Sequence, residues 1–319
     1  MEAGMNEDIR LLNELRTNLE SCIFGKSYEI TLLLTALLAG GHVLLEDVPG
    51  TGKTVLVKSL AKSIQGVFRR IQCNPDLLPT DITGVSIYHP KEETFLFRPG
   101  PVMANILLAD EINRATTKTQ AALLEAMEER HVTADGELYP LPVPFLLLAT
   151  QNPIDFEGTY VLPEAQLDRF MLKLSLGYPD RMTEKQMILS QTRQQPLDRL
   201  KAVADVEAIA ALQSRVREVY LDDSVAEYIV DVVGATRNHN AIYLGASPRA
   251  ALSLTHAAQG YAYLHHRNYV IPDDIKTLAA PVLAHRMVLT SEARMAGNSV
   301  ESVLQSVFSQ IRVPVRLEK

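Results

Sequence analysis

The sequence has little of several residue types, and each shortage excludes a class of protein. Its 319 residues include two cysteines and no tryptophan. Cys22 and Cys73 are too few and too isolated for a disulfide framework or a zinc site, so we expect buried, reduced thiols in a cytoplasmic protein. No apolar run reaches the roughly 18 residues of a membrane span, and the acidic, polar stretch 1–14 is unlike a secretory signal.

Positive charge is also in short supply, because 31 Lys and Arg stand against 38 Asp and Glu, giving a net charge of −7 at pH 7. This balance argues against a generic nucleic-acid or anionic-membrane binder, although it is compatible with a local basic channel. With 47% hydrophobic residues, the chain is long enough for two domains with their own cores.

The most informative segment runs from residue 46 to residue 54, between an apolar run and a run with helical periodicity. It predicts a phosphate-binding loop, because Gly50 and Gly52 let backbone N–H groups face a polyphosphate at a helix N-terminus. Lys53 would reach the β- and γ-phosphates, and the Thr54 hydroxyl a bound Mg²⁺.

One residue departs from the full pattern G-x-x-x-x-G-K-[ST], which has glycine where this chain has Asp47. The alternative interpretation of the segment is a glycine-rich turn that binds nothing.

A second apolar run, residues 106–109, ends in Asp110 and Glu111. It is typical of a buried parallel strand. At its carboxyl end, Asp110 would hold the Mg²⁺ hydration shell and Glu111 would polarise a water for attack on the γ-phosphorus. The alternative is that the two carboxylates cap the next helix.

A third predicted strand, residues 144–150, is followed by Asn152. The carboxyl ends of parallel strands share one sheet edge, so we expect the Asn152 amide beside Asp110, where it would position the attacking water or the γ-phosphate. An Asn before Pro is otherwise a common turn residue.

Several sequence words together resemble the MoxR family of AAA+ ATPases, over residues 25–289. They are Asp110-Glu111-Ile112-Asn113-Arg114-Ala115, Ala149-Thr150-Gln151-Asn152-Pro153, Glu157-Gly158-Thr159-Tyr160 and Leu162-Pro163-Glu164-Ala165-Gln166-Leu167-Asp168-Arg169-Phe170. Asp47 resembles a variant common in that family. The resemblance implies an α/β AAA+ P-loop domain, a parallel sheet with helices on both faces, over residues 1–178, and an α-helical lid over residues 179–319.

The resemblance also assigns roles by position. Lys53 and Thr54 match the Walker A residues, Asp110 and Glu111 match Walker B, and Asn152 matches sensor 1. Arg169 matches an arginine finger that enters the neighbouring subunit's site. The residues expected to contact ATP are Phe24, Gly25, Pro49, Gly50, Thr51, Gly52, Lys53, Thr54 and Val55.

Arg249 is a candidate that physics and resemblance both support, as sensor 2. Ser247 and Pro248 are typical of an N-cap and a first helical residue, and a cation in the first turn opposes the helix dipole unless an anion is near. A phosphate, in cis or from the adjacent subunit, would supply it. The alternatives are surface ion pairs, of Arg249 with a nearby carboxylate and of Arg169 with Asp168 or Glu164.

Two insertions and a helical region complete the pattern. Residues 80–101 and 131–143 alternate and turn like hairpins. By resemblance they are the helix-2 insert and the pre-sensor-1 hairpin, which face a channel or client; the alternative is two decorative hairpins. Helical periodicity is predicted at 182–194, 205–219, 223–237, 248–264 and from Pro272 onward. No histidine has a partner at metal-ligand spacing, so all eight are expected to be structural or surface residues.

The resemblance therefore implies a Mg²⁺-dependent ATPase that forms a homo-hexamer and remodels or matures a protein client, often with a von Willebrand A-domain partner. Two alternatives remain open at this point. One is a nucleotide-gated adaptor without significant turnover. The other is a DNA-translocating or chelatase-like motor, although the acidic charge argues against nucleic acid.

Overall fold

The computed structural model describes residues 2–152, 159–191 and 196–314. The chain forms two compact units that interleave along the sequence. The first contains residues up to 30, 42–162 and 174–211; the second contains 31–41, 163–173 and those from 212 onward. The division at residue 178 stays a prediction.

The first part of the chain contains both helices and strands. In order, they are α1 (Glu2–Glu20), α2 (Ser27–Ala39), β1 (Val43–Glu46), α3 (Lys53–Ser63), β2 (Phe68–Gln72), α4 (Pro79–Thr83), β3 (Gly84–His89), β4 (Thr94–Pro99), β5 (Ile106–Asp110), α5 (Thr117–Glu129), β6 (His131–Ala134), β7 (Glu137–Pro140) and β8 (Leu146–Gln151). A short 3-10 turn, Ile112–Arg114, follows β5.

The later part of the chain is mainly helical, as the periodicity predicts. Its elements are α6 (Glu164–Leu167), β9 (Leu172–Leu174), α7 (Arg181–Gln191), α8 (Pro196–Arg199), α9 (Val206–Val216), α10 (Asp223–Asn238), β10 (Ile242–Leu244), α11 (Pro248–Leu264), α12 (Pro272–Leu283), β11 (Val288–Leu289), α13 (Ser291–Met295) and α14 (Val300–Gln310). A second 3-10 turn, Ala284–Arg286, follows α12.

The central sheet has the strand order β2-β5-β8-β1-β9, and its first four strands are parallel. In register, Gln72 lies opposite Asp110 and Leu45 lies opposite Thr150. The carboxyl ends of β1, β2, β5 and β8 therefore meet at one edge of the sheet. The predicted α/β class is confirmed.

Strands β1, β5 and β8 are apolar because both of their faces are covered, whereas β2 at the edge of the sheet is largely exposed. Leu107, Leu108, Leu147 and Leu148 are at most 1% exposed. Burial of each such side chain stabilises the fold by about 1.5–3 kcal/mol. Helix α1 packs on α3, which in turn contacts β5.

Both predicted insertions form antiparallel hairpins, β3–β4 and β6–β7. Asp135 and Gly136 turn the second hairpin with φ of 51° and 84°, the left-handed pair that a tight two-residue turn requires. Stacked rings of Phe97 and Tyr139, with centroids 4.0 Å apart, join the two hairpins. The hairpins are therefore a single surface feature.

The second unit is built around packed helices α10, α11, α12 and α14. Gly260 of α11 lies so near α2 that a Cβ there would come within 2.9 Å of the Thr35 carbonyl oxygen. This close approach explains glycine in mid-helix. Within the described residues, no helix is long and apolar enough to cross a membrane.

Candidate functional site

The phosphate loop joins the carboxyl end of β1 to the N-terminus of α3, as predicted. Gly50 and Gly52 have φ of 86° and 92°, a left-handed backbone that other residues rarely adopt. Helix α3 begins at Lys53, so the positive end of its dipole adjoins the loop. This is the local geometry of an anion site.

A cavity of about 400 Å³ opens at this edge of the sheet, a size within the usual range for ligand sites. Its lining gathers three separate sequence motifs. From the loop it takes Pro49, Gly50, Thr51, Gly52, Lys53, Thr54 and Val55, and from the strand ends it takes Asp110, Glu111 and Asn152.

Asp110 has each carboxylate oxygen engaged by a different neighbour. Oδ1 accepts a hydrogen bond from Thr150 Oγ1 at 2.7 Å. Oδ2 accepts from Arg70, with Nε at 3.0 Å and Nη2 also in contact. Thr150 and Arg70 flank β5 on strands β8 and β2, so the sheet register itself orients the carboxylate.

Glu111 has φ of 56°, which turns the chain sharply after β5. Its N–H donates to Thr150 Oγ1 at 2.8 Å. Its Oε2 accepts from Gln72 Nε2 and from Arg114 Nη1, both at 3.2 Å. Glu111 stands at the N-cap position of the following 3-10 turn, but its carboxylate makes no capping hydrogen bond there.

The cavity lining also includes residues that were not among the sequence candidates: Asp47, Arg70, Gln72, Thr150 and Gln151. Thr150 lies within a recognised motif, but its bridging role depends on hydrogen bonds across strands. Arg70 and Gln72 alternate at the end of β2, which places both side chains on one face. That alternation is the one signal in the sequence that identifies them.

Cys73 follows β2 and is buried. Burial raises the pKa of its thiol to about 12, and the nearby carboxylates of Asp110 and Glu111 add to the increase. The thiol therefore stays protonated and weakly nucleophilic. Cys22 is also buried, and both cysteines are free, as predicted.

Phe24 and Gly25 are not part of the cavity lining, and their contact with ATP stays a prediction. Gly25 has φ of 69°, and a Cβ there would meet Thr183 Oγ1 at 2.9 Å. Of the motif residues quoted above, Pro153, Glu157 and Gly158 lie outside the described residues.

Arg169 and Arg249 belong to the second unit. Helix α11 begins as predicted, with Pro248 first and the Ser247 hydroxyl accepting from the Ala250 N–H at 3.0 Å. The same hydroxyl donates to Asp168, with Oδ2 at 2.8 Å and Oδ1 at 3.0 Å. Asp168, the residue before Arg169, is thus joined to the N-terminus of the Arg249 helix.

Arg286 completes this cluster and is 1% exposed. Its Nε lies 3.1 Å from Asp168 Oδ1, and its Nη2 donates to the carbonyl oxygens of Asp168 and Phe170 at 2.9 and 2.8 Å. Burial lowers the pKa of Arg286 to about 10, while Asp168 raises it and Arg249 lowers it further. The guanidinium therefore stays charged and holds the turn that carries Arg169.

The residues at the cavity fit a magnesium nucleotide. Thr54 and Asp110 offer hydroxyl and carboxylate oxygens, the hard donors that Mg²⁺ prefers. Lys53 is the loop's own cation, and its Nζ donates to the carbonyl oxygens of Asp47 and Val48 at 3.1 and 2.9 Å. The ammonium is therefore held over the loop.

Comparison with known proteins identifies the family. The family described as "ATPase family associated with various cellular activities (AAA)" matches residues 42–172, and the AAA lid domain matches residues 234–307. "Chaperone MoxR1" of Mycobacterium tuberculosis is 41% identical over 98% of this chain and 84% of that protein. The chain belongs to the MoxR family of AAA+ ATPases.

Two other similarities extend over almost the full length of this MoxR-family chain. The Bacillus subtilis protein YeaC is 52% identical over 97% of both chains. A crystal structure from Cytophaga hutchinsonii has a TM-score of 0.91 at 38% identity and covers 98% of each chain. The similarity therefore extends over both the AAA domain and the lid.

Proposed function

We propose that this protein binds ATP with Mg²⁺, hydrolyses it, and uses the cycle to remodel or mature a client protein. One observation carries the proposal. The cavity at the sheet edge brings together a phosphate-loop lysine and threonine, two strand-end carboxylates and an asparagine: Lys53, Thr54, Asp110, Glu111 and Asn152.

Each side chain has a distinct role in this chemistry. Lys53 binds the β- and γ-phosphates, and Glu111 accepts the proton of the attacking water. Asn152 positions that water or the γ-phosphate. Thr54 and Asp110 would hold Mg²⁺, which supplies positive charge to the phosphate oxygens.

The cationic residues of the second unit suit a site completed by a neighbouring subunit. In this proposal the protein is a cytoplasmic homo-hexamer, and Arg169 reaches the site of the next subunit to neutralise charge on the transferring phosphoryl group. Arg249 contributes to a phosphate site in cis or in trans. The ordered cluster of Asp168, Ser247 and Arg286 supports this role, because it holds the chain beside both arginines.

The paired hairpins are the proposed client surface. Phe95 and Leu138 are 67% and 63% exposed, and Tyr88 on the same feature is 50% exposed. Grouped apolar side chains at a surface are typical of interaction sites. The name of the relative "Chaperone MoxR1" agrees with a protein client. A von Willebrand A-domain partner belongs to this proposal through family resemblance.

The first test separates binding from turnover. Lys53→Ala should lose ATP binding, because the loop loses its positive charge on the phosphates. Glu111→Gln should bind ATP but hydrolyse it at least about 100-fold more slowly, since the general base is gone. Phosphate release is measured with and without DNA. Normal hydrolysis by Glu111→Gln would reject the assignment, and strict dependence on DNA would favour a DNA motor.

A mixing arm of the same assay tests the shared site. Arg169→Ala and Glu111→Gln are each expected to be inactive alone. In mixed assemblies, some interfaces pair an intact Glu111 with an intact Arg169, so partial activity should return. Absence of recovery in subunits shown to co-assemble would place Arg169 in cis or in a structural role.

A further inference from the structure

Asp47 is the residue that departs from the phosphate-loop pattern, and its side chain makes specific hydrogen bonds. It is 5% exposed, and its carboxylate points to the turn formed by Ser175, Leu176 and Gly177. The Leu176 N–H donates to Oδ2, and the Gly177 N–H lies 3.1 and 3.2 Å from the two oxygens. Ser175 Oγ is 3.4 Å from Oδ1. We name residues 175–177 the donor turn, because they donate these hydrogen bonds to Asp47.

The main chain of Asp47 belongs to the phosphate loop. Its carbonyl oxygen accepts from Lys53 Nζ at 3.1 Å, and its N–H donates to the Gln151 carbonyl oxygen at 3.2 Å. Asp47 thus contacts the loop lysine through its backbone and the donor turn through its side chain. Hydrogen bonds to a charged carboxylate are stronger than those to a neutral group, so Asp47 holds residues 175–177 strongly.

The donor turn begins a segment that also borders the region of Gly25. Lys26 Nζ donates to the Tyr178 carbonyl oxygen at 3.5 Å. Thr183 is the side chain that a Cβ at Gly25 would meet. The segment after β9 is therefore attached at one end to the phosphate loop and further along to the residues that precede α2.

We propose that Asp47 is a positioning residue that couples nucleotide binding at the phosphate loop to order in the donor turn. The inference rests on the proposed function, since it needs a nucleotide in the cavity. Thermodynamic linkage makes the coupling reciprocal: a nucleotide that orders the loop stabilises the turn, and a change that strains the turn weakens nucleotide binding.

The first experiment changes the carboxylate and measures Mg-ADP affinity by calorimetry and ATP kinetics. Asp47→Gly, which restores the common pattern, should bind Mg-ADP about tenfold more weakly and raise KM for ATP similarly, with kcat changed less than about twofold. Asp47→Asn retains one acceptor oxygen and should fall between. Asp205→Asn is the matched control, because Asp205 accepts an N–H bond from Ala208 at the start of α9.

The second experiment strains the turn without touching Asp47. Gly177 has φ of 58° and open space where a Cβ would lie, so Gly177→Ala alters backbone strain alone. It should weaken Mg-ADP binding several-fold. Gly136→Ala is the control, since Gly136 has φ of 84°, equally open space, and a place in the distant β6–β7 turn.

The possible results distinguish nucleotide binding itself from the coupling through Asp47. A wild-type protein that does not bind Mg-ADP would reject the proposed function. Binding that is lost in Lys53→Ala but unchanged in both Asp47→Gly and Gly177→Ala would overturn the coupling. If Asp47→Gly does not fold, Gly177→Ala and hydrogen exchange of the wild-type Leu176 and Gly177 amides decide. Protection of these amides should rise with Mg-ADP, and unchanged protection would overturn the inference.

Discussion

Two aspartates, one in each unit, hold the chain beside candidate functional residues in different ways. Asp47 binds the uncharged N–H groups of Leu176 and Gly177. Asp168 binds the Ser247 hydroxyl and the guanidinium of Arg286, which is 1% exposed. Both carboxylates are turned toward protein groups. The first has neutral partners, whereas the second compensates a buried positive charge.

This difference in partners predicts how much the fold loses in stability when each carboxylate charge is removed. Loss of the Asp47 charge leaves amides that need acceptors, at a cost of about 1–3 kcal/mol. Loss of the Asp168 charge leaves a buried guanidinium without its counter-ion, which costs about 3–5 kcal/mol in comparable cases. Breaking the Asp47 contacts should therefore destabilise the fold less than breaking the Asp168 contacts.

The largest expected effect tests this contrast directly. Asp168→Asn keeps oxygen and nitrogen near Ser247 but removes the charge, so it should lower the free energy of unfolding by about 3 kcal/mol. Asp47→Asn should lower it by about 1 kcal/mol. Urea unfolding followed by circular dichroism measures both. Equal losses would show that the partner's charge does not distinguish the two aspartates.

A second prediction concerns a buried histidine in each unit. Burial lowers the pKa of His285 to about 3 and holds that of His42 well below 6.5. The unfolded chain therefore binds protons below pH 6.5 that the folded chain does not. Stability should be fully present above pH 6.5 and fall as the pH drops toward 3, by up to about 1.4 kcal/mol per pH unit for each histidine.

Two substitutions isolate this pH dependence. His42 Nδ1 accepts the Leu147 N–H, a contact that Asn can mimic, while His285 Nε2 lies 2.9 Å from the Phe170 carbonyl oxygen, within reach of a Gln amide. His42→Asn and His285→Gln should each reduce the slope of stability against pH between 6 and 5. An unchanged slope in either variant would mean that this histidine is not the group that titrates.

The smallest expected effect is a difference of about 1 kcal/mol between two helix-cap variants, one of them at the start of the Arg249 helix. Ser247→Ala removes both a helix cap and the hydrogen bond to Asp168, so it should cost about 2 kcal/mol. Ser299→Ala removes only a cap, because Ser299 accepts from the Ser302 N–H at the start of α14, and should cost about 1 kcal/mol. The difference measured by urea unfolding reports the Asp168 contact. Equal losses in the two variants would indicate that the hydrogen bond from Ser247 to Asp168 does not stabilise the fold.

The sequence was sufficient to predict the α/β order and the cavity's main residues for a physical reason. Phosphate loops and buried parallel strands impose local patterns, so Lys53, Asp110 and Asn152 each lie in a recognisable context. The common sheet edge then follows from parallel topology. The start of α11 at Ser247 was equally local, since a cap and a proline define it.

The supporting contacts were not predictable, because they join residues far apart in the chain. Arg70 meets Asp110 only through the β2–β5 register, and Asp47 meets Leu176 across 129 positions. Arg286 reaches Asp168 through tertiary packing of the second unit. In the sequence, Asp47 is merely a departure from a pattern, and Arg286 has no local signal at all.

At Glu111, the residue that the backbone conformation favours differs from the residue that the proposed chemistry requires. With φ of 56°, a residue bearing a Cβ is held in a conformation that costs roughly 1–2 kcal/mol, whereas Gly or Asn adopts it more readily. Either replacement would relieve the backbone strain and remove the proposed general base. The residues that best suit this backbone conformation are therefore not the one that the proposed turnover requires, so selection for relief of strain alone would act against that activity.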